Sequence, residues 1–391
     1  MNELDLSALD GANPLGFLAA LGTLTVLSET EPQVKLGWRA GARWTPFITS
    51  PNPLDETKLL QCLTKRLCGQ PVSETAERKR EASQKRSDFA KKRLKNANDE
   101  LKALKLKGNQ LKIERDRIVG PVLKRFEKRR QIVLARLKSA VPSPELALGQ
   151  RPDCTVQEFR EHAVAIRAES APNGRTTADL LASFGAETTD FENERIQPTT
   201  FCFITGSGHQ WFLATVRQLM TRKDPTKQEP APPQCVTDEN LHKCLFKAWA
   251  YSDEGLSMRW DPVEDVRYAL RFDDPGSIGA YTVWMANLLA YFALGCFPCA
   301  ALSRGIATAC WTASKESAAF HWPVWEQPLT REALRSLLTH RAFAAPDYEA
   351  DRKNLRAELL ARGVAGIFCA QRIQVGNPPL HKINFSPAFA L

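Results

Sequence analysis

The strongest constraint on this chain is a stretch at 73–140 in which apolar residues return at intervals of four and three among a majority of charged and polar ones. Ala90, Leu94, Ala97, Leu101 and Leu104 step by 4, 3, 4 and 3, which is the seam of one helix packed along another. Gly108-Asn109 interrupts the pattern, and Val119, Leu123, Phe126, Arg130, Val133 and Leu137 resume it. Two such helices joined by a short Gly-Asn turn predict a long antiparallel helical hairpin, a coiled-coil-like arm inserted near the N-terminal third of the chain. A 30-residue helix is about 45 Å long, so the tip of the hairpin can stand well clear of a body. Pro121 after Gly120 removes a backbone donor and predicts a kink or restart early in the second helix. Val141-Pro142-Ser143-Pro144 ends the stretch.

Charge follows the same boundary. The chain carries 53 Lys+Arg and 44 Asp+Glu, a net +9, and residues 73–140 hold 22 of the former against 9 of the latter. The remainder therefore holds 31 against 35. A slightly negative body with one strongly basic insert predicts a polyanion partner, since a helical face kept charged only for solubility mixes its signs more evenly. The candidate phosphate contacts are Arg78, Lys79, Arg80, Lys85, Arg86, Lys91, Lys92 and Arg93, then Lys124, Arg125, Lys128, Arg129 and Arg130.

Outside the hairpin the chain reads as a helix-rich α+β body. Asn13 is a good N-cap, Pro14 suits the first helical position, and LGFLAALGTLTVL continues as a helix buried on most sides. Strands are expected at Val34–Trp38 and Trp44–Ile48, and then a helix ending near Leu67. Residues 141–234 form a middle region with a buried strand at Thr199–Ile204, a helix from His209 to about Met220 and a Pro-rich linker at 221–234. The last region, 235–391, opens with a helix at 237–250. LSMRWDPVEDVRYALRFDDP comes next and reads as strand, turn and strand. An uncharged run at 275–303 contains a buried apolar helix at 280–302, with strand candidates beyond it at Ile306–Trp311 and Phe368–Val375. Helices are expected around 329–339 and 350–361. The division is 1–72, 73–140, 141–234 and 235–391, without the βαβ regularity of a parallel sheet.

The apolar run is long enough to span a membrane, but Asn287 and Pro298 interrupt it and no second span exists, so a buried core helix is expected. Cys296 and Cys299 have CxxC spacing at the wrong end of that helix for redox chemistry, and no second ligand pair completes a zinc set. The ten cysteines of a chain whose first residues lack a secretory signal read as reduced thiols in a cytoplasmic protein. Thr205-Gly206-Ser207-Gly208 is either a simple strand-to-helix cap or a cradle for a backbone phosphate, with Ser207 the candidate contact; it lacks the frame of a nucleotide-hydrolysing loop. Arg259, Asp261, Glu264, Asp265, Arg267 and Arg271 interleave both signs. Internal pairing is one reading, and an edge facing nucleic acid, with Arg259 as the contact, is another. A metal-dependent nuclease using Asp261, Glu264, Asp265, Asp273 or Asp274 is the third. No linear motif of a hydrolase, zinc protease or dinucleotide enzyme is present, so no catalytic residue, metal or cofactor is expected.

Five pieces, LDGANPLGFLAALGTLTVL, SGHQWFLATVRQL, SMRWDPVEDVRYALRFDDP, WMANLLAYFAL and HWPVWEQPLTREALRSLL, in that order, resemble the large-subunit family of type I-G (formerly I-U) CRISPR effector complexes. The pieces are spread over most of the chain outside the hairpin, and the hairpin itself is not placed by the family pattern. The resemblance implies a non-catalytic subunit with guide RNA, target DNA, other effector-complex subunits and a helicase-nuclease as partners, and no membrane. Sequence is then read by guide pairing, while protein contacts go to backbone and to a short flanking motif. The rival reading from the residues alone is a protein-docking module that uses the heptad seam.

Overall fold

The computed structural model describes residues 2–69, 74–138, 141–152, 154–168, 174–190, 195–204, 211–220, 234–264, 281–302, 305–312, 318–343, 357–375 and 382–391. The chain is a mixed α+β protein whose sheets are small and antiparallel. It divides into two compact units, Gln70–Gly149 and, as the other, Met1–Gly69 with Gln150–Leu391.

The larger unit begins with β1 (Asn2–Asp5), α1 (Pro14–Ser28), β2 (Lys35–Arg39), β3 (Thr45–Ser50) and α2 (Glu56–Leu67). Asn13 caps α1 as its sequence requires, its Oδ1 accepting from Leu15 N at 2.8 Å and Gly16 N at 3.1 Å. Asp55 does the same for α2, accepting from Lys58 N at 2.8 Å. The smaller unit holds α3 (Glu74–Ala103), α4 (Gly108–Glu114) and α5 (Gly120–Lys138). Back in the larger unit come α6 (Val156–Ala168), α7 (Gly174–Phe184), β4 (Gly185–Asp190), β5 (Arg195–Pro198), α8 (Phe212–Met220), α9 (Asp238–Phe246), β6 (Asp253–Glu254), β7 (Tyr281–Thr282) and α10 (Trp284–Ala293). The remainder is β8 (Cys299–Ala301), β9 (Ile306–Thr308), β10 (Ala319–Trp325), β11 (Leu329–Thr330), α11 (Arg331–Leu338), β12 (Val364–Val375), β13 (Lys382–Phe385) and β14 (Phe389–Ala390).

One four-stranded sheet has the order β1-β3-β2-β11, so a strand near residue 330 edges a sheet begun at residue 2. The other joins β10, β12 and β13, with β14 on β12. Residues of both sheets meet in the core around α1. Every residue of α1 from Pro14 to Leu27 is buried, as its all-round apolar sequence demands, and α1 packs along α10. Phe17 lies against Trp38, Phe320, Trp322 and Trp325 at 5.7–6.5 Å between ring centroids. Three of the buried indole nitrogens find backbone acceptors: Trp322 Nε1 donates to Gly11 O at 2.8 Å, Trp325 Nε1 to Leu36 O at 2.7 Å and Trp260 Nε1 to Phe201 O at 3.0 Å.

Several sequence expectations change here. Thr199–Ile204 is buried except at half-buried Thr200, but it is not a strand. Cys202 N bonds back to Thr199 O at 3.0 Å and Phe203 N to Phe201 O at 2.9 Å, so the segment turns on itself while Phe201 enters the aromatic core. Burial alone gives it the look of a strand. The helix expected at 237–250 stops at Phe246, where Lys247 is extended. The expected strand at the start of LSMRWDP is irregular, because Leu256 and Arg259 take left-handed φ of 53° and 62°. Residues 265–280, which carry the second expected strand, lie outside the described residues, as do 221–233 of the Pro-rich linker and 350–356 of the last expected helix. The apolar helix spans Trp284–Ala293 rather than 280–302, and a 3-10 turn carries the chain to Cys296. Pro298 and strand β8 use up the rest of the run. Among the described residues no helix is long and apolar enough to cross a membrane.

Candidate nucleic-acid interface

Helix α3 runs for 30 residues without Gly or Pro and is filled with Ala, Leu, Lys, Arg, Glu and Gln, all strong helix formers. Its inward seam starts earlier than the apolar pattern suggests: Ser83 and Ser87 are buried as well as Ala90, Ala97 and Leu101. Small side chains there let the facing helix approach closely. On the other helix Val133 and Leu137 are buried, with Val119 just before its start. Ala97, Leu101 and Val119 form one apolar cluster with Leu94, Ile118, Val122 and Leu123 around it. At the other end of the pair, Arg136 Nη1 donates to Lys79 O at 3.0 Å and also to Ser83 Oγ. Contacts therefore run in opposite order along α3 and α5.

The reversal falls slightly before the Gly108-Asn109 position. Helix α3 ends at Ala103, Lys105 takes a left-handed φ of 49°, and Gly108, at φ 60°, already opens α4. Leu104, the last apolar residue of the first heptad run, is 46% exposed because it belongs to this turn and not to the seam. Before Gly120-Pro121 the chain widens into a π-helical turn at Arg115–Val119, closed by Gly120 N on Arg115 O. Pro121 has no N–H to continue the ordinary ladder, so the helix restarts as α5.

Both helices turn most of their described cations to solvent. Arg78, Lys79, Lys85, Arg86, Lys91, Lys92 and Arg93 on α3 are exposed, as are Lys124, Arg125, Lys128 and Arg129 on α5. Arg80 and Arg130 are half-buried. Among the described residues, no carboxylate pairs with Lys85, Arg86, Lys91, Lys92, Arg93, Lys124, Arg125, Lys128 or Arg129; Arg117, by contrast, is bound to Glu114 at 2.6 Å. Lys85, Arg86, Phe89, Ala90 and Arg93 on α3, with Arg125 and Arg129 on α5, line a cavity of about 390 Å³. Among the described residues no carboxylate lines it. Phe89 is 66% exposed at its wall. Phe89 is a functional candidate that charge and heptad spacing do not single out. Its only mark in the sequence is that it is apolar yet out of step with the seam.

The other two candidate contacts stand apart. Ser207, with the Thr205–Gly208 segment, lies outside the described residues. Arg259 is half-buried, and burial lowers its pKa while Glu264 opposes that shift. The acids around it take neutral donors. Asp261 accepts from Tyr251 Oη at 3.0 Å, Asn13 Nδ2 at 3.2 Å and Val263 N at 3.0 Å. Glu264 accepts from Ser257 Oγ at 2.6 Å and Thr282 Oγ1 at 3.1 Å. Burial pushes the Glu264 carboxyl up to about 7 and raises that of Asp261. These two carboxyls tie the start of α1, the 251–264 segment and β7 together. Asp265, Arg267, Arg271, Asp273 and Asp274 lie outside the described residues.

Burial raises the Cys296 and Cys299 thiols above their ordinary value, with Thr25 against Cys296 Sγ at 3.8 Å and Cys299 Sγ donating to Ser183 O at 3.2 Å. A thiol held protonated is a poor nucleophile and a poor metal ligand. Among the described residues no group of three or more His, Cys, Asp or Glu is arranged to hold a metal ion. No model of a known protein family matches the chain, and no curated protein matches it either.

Proposed function

We propose that the chain is a non-catalytic nucleic-acid-binding subunit of a type I CRISPR effector complex, in which residues 73–140 act as a basic helical hairpin arm that holds phosphate backbone. One observation carries the reading: among the described residues, nine cations spread over α3 and α5 are exposed and have no carboxylate partner. An unpaired guanidinium or ammonium is free to displace counterions from a nucleic acid, whereas one already bound to Asp or Glu must first break that pair. The resemblance of the body to the large-subunit family supplies the assembly, with guide RNA and target DNA as the polyanions and a helicase-nuclease as the recruited partner. Because guide pairing reads sequence in such complexes, a sequence-independent grip is what the protein has to provide.

The test is binding of the full chain to a labelled duplex across a salt series. If about five phosphates are neutralised, log affinity falls against log salt with a slope of roughly −4 to −5. Exchange of Lys91, Lys92 and Arg93 together with Lys124, Arg125, Lys128 and Arg129 for Glu weakens all sequences alike. Unchanged affinity after that exchange rejects the arm as the contact surface.

A second reading has its own support. Leu104, Leu111 and Ile113, around the reversal between α3 and α5, are 46%, 37% and 66% exposed, and clustered exposed apolar side chains mark protein docking sites. Salt-insensitive association with effector subunits, lost on Ile113→Asp and indifferent to the Glu exchanges, would favour it.

A further inference from the structure

We propose that the groove between α3 and α5 is a subsite for an unpaired nucleotide, with the ring of Phe89 as the surface on which the base stacks. The inference rests on the nucleic-acid reading of the helix pair and narrows it from phosphate backbone in general to single strands.

Phe89 stands on α3 with Lys85, Arg86 and Arg93 at i−4, i−3 and i+4, the spacings that share one helical face. Arg125 and Arg129, themselves i,i+4, complete the cavity from α5. Five cations thus share the lining with one aromatic ring, and among the described residues no acid stands with them. Nearby Asp88 faces Gln84, whose Nε2 donates to it at 2.9 Å. A Phe in a helix seam is stabilising through the apolar surface it removes from water, and this one forgoes most of that by lying 66% exposed. The cavity, about 390 Å³, is of the size that holds a small planar group.

The occupant is set by the chemistry of the lining. Phosphates satisfy the guanidinium forks of Arg86, Arg93, Arg125 and Arg129, but they gain nothing from a phenyl ring. A base offers a π face, and that face is free only when the nucleotide is unpaired and unstacked; in a duplex both faces are covered by neighbours. A cationic groove with an aromatic platform is the combination that binds single strands with little sequence preference. An acidic peptide would engage the same cations and leave Phe89 unused.

The experiment compares the full-length protein with Phe89→Ala, Phe89→Leu and Phe89→Trp by fluorescence anisotropy. The probes are an oligothymidylate of about 20 nucleotides, an abasic strand of the same length, a duplex and polyglutamate. Loss of stacking on one base lowers oligothymidylate affinity roughly 5- to 150-fold in the Ala and Leu variants, while Trp retains it. Duplex and abasic binding stay within about twofold, because their phosphate contacts are intact. Unchanged oligothymidylate binding in the Ala and Leu variants overturns the subsite, and so does an equal loss on all probes. If the Phe89 variants are silent but the Glu exchanges weaken binding, the subsite falls and the phosphate grip stands. If both are silent, both fall. Equal melting curves for the four proteins exclude a folding effect, as expected for an exposed side chain.

Discussion

Arg136, near the end of α5, donates from Nη1 to the carbonyl oxygen of Lys79, near the start of α3, at 3.0 Å. This basic residue thus turns inward and pins the end of the helix pair where Ser83 and Ser87 give the seam little apolar area. Arg136→Ala is expected to cost about 1.5–3 kcal/mol locally, the range for a hydrogen bond from a charged donor. Hydrogen exchange should show the loss as faster exchange in residues 79–87, with little change around Ala97 and Leu101. Arg136→Lys should recover only part of it: Nη1 alone reaches both Lys79 O and Ser83 Oγ, and the shorter, non-planar lysine side chain does not carry its ammonium to that position.

Close approach of α1 and α10 depends on Gly22. A Cβ added there would overlap the carbonyl oxygen and carbonyl carbon of Leu289, which are backbone atoms and cannot swing aside. Gly22→Ala must therefore push two deeply buried helices of the larger unit apart. The expected cost is about 3 kcal/mol or more, at the upper end for overpacking a core. A fall in the denaturant midpoint with an unchanged slope would register it, and a midpoint like that of the parent would show that α1 and α10 separate freely.

Legibility in the sequence tracks the range of the forces involved. Asn13, Pro14 and Asp55 act within one helical turn, so the starts of α1 and α2 can be read directly. The seam of α3 and α5 is also local, since its period survives in the order of Ala90, Leu94, Ala97 and Leu101. Thr199–Ile204 imitates a strand because burial by Trp260, Phe297 and Phe320 is a tertiary fact, and six apolar or small residues in a row look alike whether or not a strand partner exists. The pairing of β11 with β2 spans most of the chain and has no local signature. For the candidate interface, the basic clusters are legible as charge. The cavity is not, because it arises only when Arg125 and Arg129 are brought opposite Phe89.

Asp179 gathers three guanidinium groups. Its Oδ2 accepts from Arg331 Nη2 and Arg335 Nη1, both at 2.7 Å, and from Arg175 Nε at 2.9 Å. Arg331 is 4% exposed and its Nε has no partner, so the carboxylate is the main compensation for a buried charge. Asp179→Ala should destabilise by about 3–5 kcal/mol, the cost of leaving such a charge unpaired. Asp179→Ala with Arg331→Met should be milder than the single change, because the stranded cation is then gone. A double mutant no more stable than Asp179→Ala would assign the loss to packing alone.

The Glu264 carboxyl gives the body a dependence on pH. Burial raises it from 4.5 to about 7 in the folded protein, while the unfolded chain keeps the lower value. Below pH 4.5 both states are protonated and the full stability is present. As pH rises from 4.5 to 7 the unfolded chain ionises first, so stability falls, by on the order of 3 kcal/mol from this group. His321 works in the opposite sense: burial lowers it from 6.5 to about 4, so its contribution is present above 6.5 and is lost as pH falls through 4. The two partly cancel in a simple melting curve, and the raised Asp253 and Asp261 add to the Glu264 side. A difference measurement separates them. Glu264→Gln keeps an acceptor for Ser257 and Thr282 but cannot ionise, so parent minus variant stability should decline between pH 4.5 and 7 and stay level above it. At pH 8 the variant should be the more stable protein; a flat difference across that window would mean that Glu264 ionises as freely in the folded chain as in the unfolded one.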